Sequence, residues 1–485
     1  MSFMTNKQTV FIIADHGLAI IYFLQSKVVS RLIEAGKRVV LLTQDALIEQ
    51  VRRRFGQEGL IVEGLRYDLC DQYSQSYYPR WQWWQNFLRR VGTSDHINTE
   101  AMDSYIRQVD FEIRGKQRLI MCLAKPMIKR LRKSKKARKK LVNSQKRYNP
   151  KIYQDLFKKY NPSLVVSCTY GWRNDRYILR EASQRGIKTG AVIVGWDNPS
   201  SYGITCAPLD FIICWSEIQK DELVNGSDWK PEKVNVGGIP SYDNYFNGSW
   251  IIPRKEYFAK HGLDPNRKLV TYACSFVTFS PNYPNVEAIA KLVIEDRLNS
   301  PSQLLVRLHP NHYLEDPLFS GERENITALI NSHPHLHLFE PAALAGNLGN
   351  YSGEDMDEKT SMMAHSDVFS TVYSTMCVEC AIHDRPIVSV VIDSPGGWKN
   401  PDKFSLALTE IERWPTHSRF LNAGAGRLAA NEEAIIRHFN AYLADPTLDK
   451  DARQKFVKDE ITYTDGAAGI HTADYLLTLL NGDSN

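Results

Sequence analysis

The chain has 485 residues, 43% of them hydrophobic and 24% charged, with a formal net charge of +5. That length exceeds what one ordinary core organises, so two to three domains of soluble, globular composition are expected. No run approaches the roughly 18 to 20 apolar residues that a membrane span needs, which excludes an integral helical membrane protein.

The charge is unevenly placed. Residues 113–154 hold 16 Lys or Arg and no Asp or Glu, so the rest of the chain is acidic. Local basicity of this kind points to one anionic surface rather than to a generally basic protein. The eight cysteines are scattered, several in strand-like runs (Cys168, Cys214, Cys274), as befits a reducing cytoplasm.

In chain order, Val10–Ala14 reads as a first strand rather than the core of a signal peptide. Asp15-His16-Gly17 is a turn, residues 18–35 a helix stopped at Gly36, and Val39–Thr43 the second strand. A strand–helix–strand unit of this length implies parallel pairing with a right-handed crossover. Residues 66–150 break the alternation with aromatic and basic helices and read as an insertion. Strands resume at Ser163–Cys168, Thr189–Val194, Phe211–Trp215 and Val234–Pro240. After a linker from Ser241 to about Arg267, a second series starts at Lys268–Cys274 and continues at 303–308, 335–339, 367–372 and 387–392. Residues 467–481 form an amphipathic helix. The predicted architecture is α/β, two Rossmann-like, doubly wound domains facing a cleft. The first covers 1–245 with its helical insertion at about 66–150, and the second covers 246–455. A helical segment, 456–485, packs back on the first.

Open α/β sheets bind ligands outside the carboxyl ends of their strands. Two segments of the second half deliver polar groups there. Leu304–Leu308 runs into His309-Pro310, and Val372-Tyr373 runs into Ser374-Thr375 at a predicted helix start. A cationic or hydrogen-bonding His309, supported by Arg307 or backbone N–H groups, suits a phosphate, with Pro310 fixing the turn. His309 could equally be a core imidazole, and Arg307 could pair with a carboxylate. Ser374 and Thr375 can cap the helix, hold an anion, or both. Glu379 can accept from a ribose diol or close a capping box. Ser275 and Thr278 suit a diphosphate or belong to an ordinary loop, and Glu340 follows another strand of the same domain. Cys377-x-x-Cys380 is half a metal motif without a second pair, and His383 does not complete four ligands, so core thiols are expected. Asp367 and Asp393 show no pairing that compels a metal.

In the first domain, Asp15 or His16 could deprotonate an acceptor hydroxyl. Trp196-Asp197-Asn198-Pro199 joins an aromatic platform to a carboxylate, or forms an Asx-turn. Tyr170 and Trp172 stand in a third polar–aromatic loop. Together these loops favour an acceptor site with Tyr170, Trp172, Trp196 and Asn198 as contacts and Asp15, His16 or Asp197 as base. The Trp-rich stretch Trp81–Arg90 and the polybasic stretch Lys125–Arg147 suit a membrane surface. Nucleic acid selects similar residues, and a solvated hairpin needs no partner; a membrane or lipid-linked acceptor is expected ahead of both.

The segments GWDNPSSYG (195–203), DFIICWSEIQKDEL (210–223), VGGIPSYDNY (236–245), RLHPN (307–311) and STMCVECAIHDRPIV (374–388) carry a resemblance. The chain resembles GT-B glycosyltransferases of the bacterial capsule and surface-polysaccharide type over about residues 8–55 and 160–480. It also resembles CDP-glycerol glycerophosphotransferases and the UDP-GlcNAc 2-epimerase fold. The His-Pro and Ser-Thr pairs are similar to motifs of bacterial sialyltransferases and Kdo transferases, where they hold the nucleotide phosphate. The resemblance implies phosphate contacts at His309, Ser374 and Thr375 and a ribose contact at Glu379. It departs at the base: the string nearest to the family's acidic-acidic-Gly motif is Asp15-His16-Gly17, with His in the middle and at a different place in the fold. The expectation is a cytoplasmic transferase, peripheral at the inner face of the membrane and active in capsule or lipopolysaccharide synthesis. It would move a sugar from a CMP-, UDP- or GDP-linked donor to a glycan or lipid-linked acceptor, with inversion and without a metal or other cofactor. A CDP-glycerol-type polyol-phosphate transferase and a non-catalytic membrane-associated binding protein are the alternatives.

Overall fold

Parallel sheets covered on both faces need strands that are apolar throughout, and the first such run, Thr9–Ile13 (β1), is buried at every position. A computed structural model describes residues 8–115, 118–275, 277–341, 355–392 and 397–482. The chain divides into two compact units, Met1–Asp243 with Ile461–Asn485, and Asn244–Glu460.

In the first unit β1 is joined by Arg38–Thr43 (β2), Leu60–Gly64 (β3), Pro162–Ser167 (β4), Lys188–Val192 (β5), Phe211–Cys214 (β6) and Val234–Val236 (β7). They pair in parallel in the order β3-β2-β1-β4-β5-β6-β7. The strand order reverses between β1 and β4, the switch point where such sheets open a crevice. Leu42, Ile13, Ser167 and Ala191 form the last paired row across the centre. Asp15, His16 and the loop after Ser167 therefore emerge side by side.

The second unit repeats the plan with Lys268–Ala273 (β8), Ser302–Arg307 (β9), Leu336–Phe339 (β10), Val368–Thr371 (β11), Ile387–Val390 (β12) and Arg427–Ala429 (β13). All pairs are parallel, in the order β10-β9-β8-β11-β12-β13, and the reversal lies between β8 and β11. The last row reads Phe339, Arg307, Ala273, Thr371, Ser389. Ser275, His309, Glu340 and Ser374 leave the sheet by that one edge. Two strands, β3 and β13, have no counterpart in the sequence reading. Both are outermost in their sheets and only partly buried, so neither carries the apolar run that marks a central strand.

Between β3 and β4 the chain is helical. Helices Pro79–Val91, Glu100–Glu112 and Arg118–Lys133 share a small core of their own that includes Phe87, Val91, Val109, Met121, Ile128 and Leu131. Arg89, fully buried, ties it to the first unit by donating to the carbonyls of Tyr202 (2.9 Å) and Ile204 (2.6 Å). Arg138 forks onto Asp228 at 2.7 and 2.8 Å, the two-pronged geometry in which an ion pair is strongest. Helix Arg118–Lys133 has a second apolar face with no cover. Leu119 and Leu123 are each 70% exposed and Met127 49%, spaced four apart along one side. Among the described residues, no helix is long and apolar enough to cross a membrane. The C-terminal helix, Ala468–Asn481, packs on Lys27–Glu34 in the first unit. Asp243 receives its first N–H groups, from Ala468 (2.9 Å) and Gly469 (2.8 Å).

Candidate functional site

At the switch point of the first sheet, Asp15 is fully buried and both of its carboxylate oxygens accept hydrogen bonds. Its Oδ1 accepts from His16 Nδ1 (2.5 Å) and Cys168 Sγ (3.1 Å), and its Oδ2 from Arg173 Nε (2.9 Å) and Tyr67 OH (3.2 Å). Burial alone would raise this carboxyl. His16 and then Arg173 outweigh burial and hold Asp15 well below the usual carboxylate range. An ionised Asp15 places the proton of the His16 ring on Nδ1, leaving Nε2 as its basic nitrogen. Burial and the Asp15 charge push the Cys168 thiol far up, so it stays protonated. Asp175 is pushed up by burial and by Asp15, and its Oδ2 accepts from the hydroxyls of Ser167 and Thr169. The loop carrying Arg173 turns at Gly171 with φ +94°, where a Cβ would fall 1.9 Å from Cys206 Sγ, so glycine alone fits.

Asp15, His16 and Cys168 bring three ligand-type atoms within 4.8 Å of one another. They do not suit a cation. A metal would have to strip the proton from Cys168 and share Asp15 with the Arg173 guanidinium.

The polar–aromatic loops meet beside this cluster. Tyr170, buried, donates its hydroxyl to the Asn198 carbonyl, and Trp172 stacks on Tyr202 with ring centroids 4.4 Å apart. His16 and Trp172 rings lie 6.3 Å apart. Trp196 is only 1% exposed, so its ring is core and not an open platform. Asn198 Oδ1 accepts from Gly195 N (3.0 Å), and Asp197 Oδ2 accepts from Ser201 Oγ (2.6 Å). The Asp197 carboxylate is thus engaged within its own helical turn.

In the second unit His309 caps the turn Pro310–Tyr313. Its Nδ1 accepts from Asn311 N (3.0 Å), which places the ring proton on Nε2. Burial, helped by His312, Arg307 and Lys359, lowers its pKa to about 3. His309 is therefore a neutral hydrogen-bond donor at neutral pH, not a cation. A network absent from the sequence reading braces the turn. His312 Nδ1 accepts from His309 N (3.1 Å), and its Nε2 lies 3.0 Å from buried Glu322 Oε2. Glu322 Oε1 also accepts from the N–H groups of Asn282 and Tyr283, and Asn282 Oδ1 accepts from Ser275 N (2.9 Å). One carboxylate thereby fixes both the His309 turn and the Ser275 loop. A signal for it existed: Glu322 sits among Phe319, Ile326 and Ile330 on the buried stripe of helix Pro317–Ile330. The Ser275 hydroxyl is buried and has no hydrogen-bond partner among the described residues.

Ser374 Oγ accepts from Met376 N (3.3 Å), whereas Thr375, the N-cap of the seven-residue helix Met376–Ile382, makes no side-chain cap. Glu379 closes no capping box. It is buried, 2.6 Å from Tyr245 OH and 2.5 Å from Lys359 Nζ. Arg307 pairs with Asp355 at 3.1 Å, the alternative its sequence context left open. Glu340 is exposed and accepts from Tyr313 OH (2.6 Å); Thr278 is partly buried. Cys377 and Cys380 are buried, and burial pushes the Cys377 thiol up to about 12 and the Cys380 thiol well above its ordinary value. Asp367 accepts from Leu269 N (2.8 Å) and pairs with Arg254 and Lys268, while Asp393 lies outside the described residues.

No protein-family model matches the chain, and no curated protein matches its sequence. Solved structures do. The UDP-GlcNAc 2-epimerase of Neisseria meningitidis, bound to UDP-GlcNAc, shares 13% identity over 97% of this chain and 100% of its own, with a TM-score of 0.54. The MnaA–UDP structure from S. aureus shares 12% over 98% and 97%, at 0.55. A glycosyltransferase from Rickettsia africae shares 12% over 98% and 99%, at 0.52. At such identities the likeness is one of fold, and the two parallel α/β units of this chain have the two-domain GT-B fold of these enzymes.

Proposed function

We propose that the chain is a nucleotide-sugar-dependent glycosyltransferase in which His16 is the general base. The observation that carries this reading is the set of contacts around Asp15. Both of its oxygens are taken and its charge is fixed, so it orients His16 instead of reacting itself. His16 Nε2 would take the proton of an acceptor hydroxyl as its oxygen forms the new bond to the anomeric carbon. The anomeric carbon–phosphate oxygen bond breaks, the electron pair leaving with the nucleotide. Donor phosphate would be held by neutral donors of the second unit: His309 Nε2–H, the Ser275 hydroxyl and the hydroxyls of Ser374 and Thr375. Attack opposite the leaving group gives inversion, and no step is assigned to a metal. The bound nucleotides of the N. meningitidis and S. aureus structures favour a UDP-linked donor. They also supply the second reading, acceptor-independent epimerisation of UDP-GlcNAc.

The uncovered face of helix Arg118–Lys133, flanked by basic residues, would seat the chain peripherally on the anionic inner face of the membrane. Sedimentation with anionic vesicles at low and high salt tests that contact; failure to sediment at either would remove it. Nucleotide release from UDP-, CMP- and GDP-sugars and from CDP-glycerol, with and without glycan acceptors, tests the chemistry. Release that depends on a sugar donor and on an acceptor, and is lost in His16→Ala at unchanged nucleotide affinity, is the expected result. Release from CDP-glycerol alone would turn the reading to polyol-phosphate transfer. Full activity in His16→Ala would remove His16 as the base.

A further inference from the structure

The first unit contains a cavity that none of the site residues above explains. Its volume is about 820 Å³, and its walls come from the helix after β3, from Pro79–Val91, from the two helices that follow and from the helix after Arg173. Trp83, Trp84, Ile113 and Ile120 supply its apolar lining and Arg80 and Arg176 its charge. The size is that of a pocket for one ligand of moderate length. Its chemistry is divided between a hydrocarbon and an anion.

Three observations say what fits. Neither arginine makes an ion pair among the described residues. Arg176 has one long hydrogen bond, to Asn174 Oδ1 at 3.5 Å, and its buried Nε has none. The apolar wall also reaches the surface: its own lining residues Ile120 and Trp83 are 36% and 44% exposed, and Leu119, Leu123 and Trp81 on the same two helices are exposed as well. The apolar part of the cavity is therefore open to a hydrocarbon from outside. Arg176, in the same lining, is three residues from Arg173, the guanidinium on Asp15. Tyr177, next to Arg176, donates to Gln82 Oε1 (3.1 Å) in the cavity wall.

We propose that this cavity binds the phosphate-bearing end of a single-chain lipid phosphate, its hydrocarbon against Trp83, Trp84 and Ile120 and its phosphate on Arg176 and Arg80. The inference rests on the glycosyltransferase reading only in making this lipid phosphate the acceptor carrier; binding itself does not depend on catalysis. A phosphate ester held by guanidinium forks is favoured over a carboxylate because two separate arginines can each take a pair of its oxygens.

The test is calorimetric titration of the full chain with farnesyl phosphate, farnesol and inorganic phosphate. Farnesyl phosphate is expected to bind at least tenfold more tightly than either half alone. Arg176→Gln and Arg80→Gln should each bring it down towards the affinity of farnesol. Arg80 is exposed, so its variant folds whatever the fate of the other. UDP affinity, measured on the same samples, should not change. Equal affinities for farnesyl phosphate and farnesol, or full binding by both variants, would overturn the proposal. Sugar transfer to a water-soluble glycan with no farnesyl phosphate binding would remove this site and leave the transferase reading standing. Farnesyl phosphate binding by a chain that binds no nucleotide would do the reverse.

Discussion

At the carboxyl edge of the first sheet, a carboxylate and a guanidinium meet directly, Asp15 against Arg173, with the His16 ring packed on the same carboxylate. At the same edge of the second sheet, the groups offered are a neutral imidazole and hydroxyls, while the cations Arg307 and Lys359 stand against Asp355 and Glu379. The two edges occupy the same place in the same kind of sheet, so topology does not set the difference. On the function proposed above, their chemical tasks do. A proton-transfer site needs a fixed charge to hold one tautomer, whereas a site that receives an anion can be built from pre-oriented neutral donors.

The largest effect that would break this contrast is loss of the base. His16→Ala should lower turnover by about 10²- to 10⁴-fold, the usual worth of general-base catalysis, with UDP affinity within twofold of the parent. A variant that loses affinity and keeps its turnover would make the first edge a binding surface. Next comes stability. Asp15→Asn leaves the partly buried Arg173 against a neutral amide and should destabilise the first unit by about 2–3 kcal/mol, below the cost of breaking a fully buried pair because solvent still reaches the guanidinium. Asp15→Asn combined with Arg173→Met should recover much of that loss in denaturant melts. If the double variant is no more stable than the single one, Asp15 is not held by charge.

The second edge predicts a smaller change of a different kind. His309→Ala should weaken UDP binding by roughly 10- to 100-fold, as the loss of one hydrogen bond to a charged group does. Because His309 is held neutral down to about pH 3, its contribution should be flat between pH 5 and 8. An affinity that climbs as pH falls through the ordinary imidazole range, and loses that climb in His309→Ala, would show a cationic His309 instead. Glu322→Ala should act through position, weakening UDP binding by loosening both the His309 turn and the Ser275 loop.

Much of this arrangement was open to reading in the sequence. Central strands announce themselves as apolar runs, and His16, His309 and Ser374 stand out because each follows one. The two-domain α/β architecture follows from that alternation, and its GT-B character from the resemblance of the motifs. The outermost strands β3 and β13 do not, since their partial burial leaves no distinctive pattern. The partners of Asp15 were harder still. Tyr67 arrives from the start of the insertion and Arg173 from the loop after β4, and nothing local marks either as a neighbour of Asp15. The Trp196 platform failed for the opposite reason: an aromatic ring beside a carboxylate reads the same whether it faces solvent or core. Glu322 was legible in principle, as a charge on an apolar stripe, and its meaning appears only when the Ser275 loop and His309 turn are seen around it.

The smallest effect separates the two units by the sign of their response to acid. In the second unit, burial lowers His309 and His417 to about 3. Unfolded imidazoles titrate near about 6.5, so between those values the unfolded chain binds more protons than the folded one. Stability of that unit is present in full above about pH 6.5 and falls as the pH drops towards 3. In the first unit, burial raises Asp243 from 3.8 to about 6, against the pull of the Ala468 and Gly469 N–H groups. There the folded state binds the extra proton between pH 3.8 and 6, so the attachment of the C-terminal helix strengthens as pH falls through 6. Hydrogen exchange at pH 7 and pH 5, corrected for intrinsic rates, should show protection rising in Ala468–Asn481 and falling in β8 and β11. His417→Phe should flatten the second response and Asp243→Asn the first. A common direction in both units would mean that the buried imidazoles and the buried carboxyl are not what sets their stability in acid.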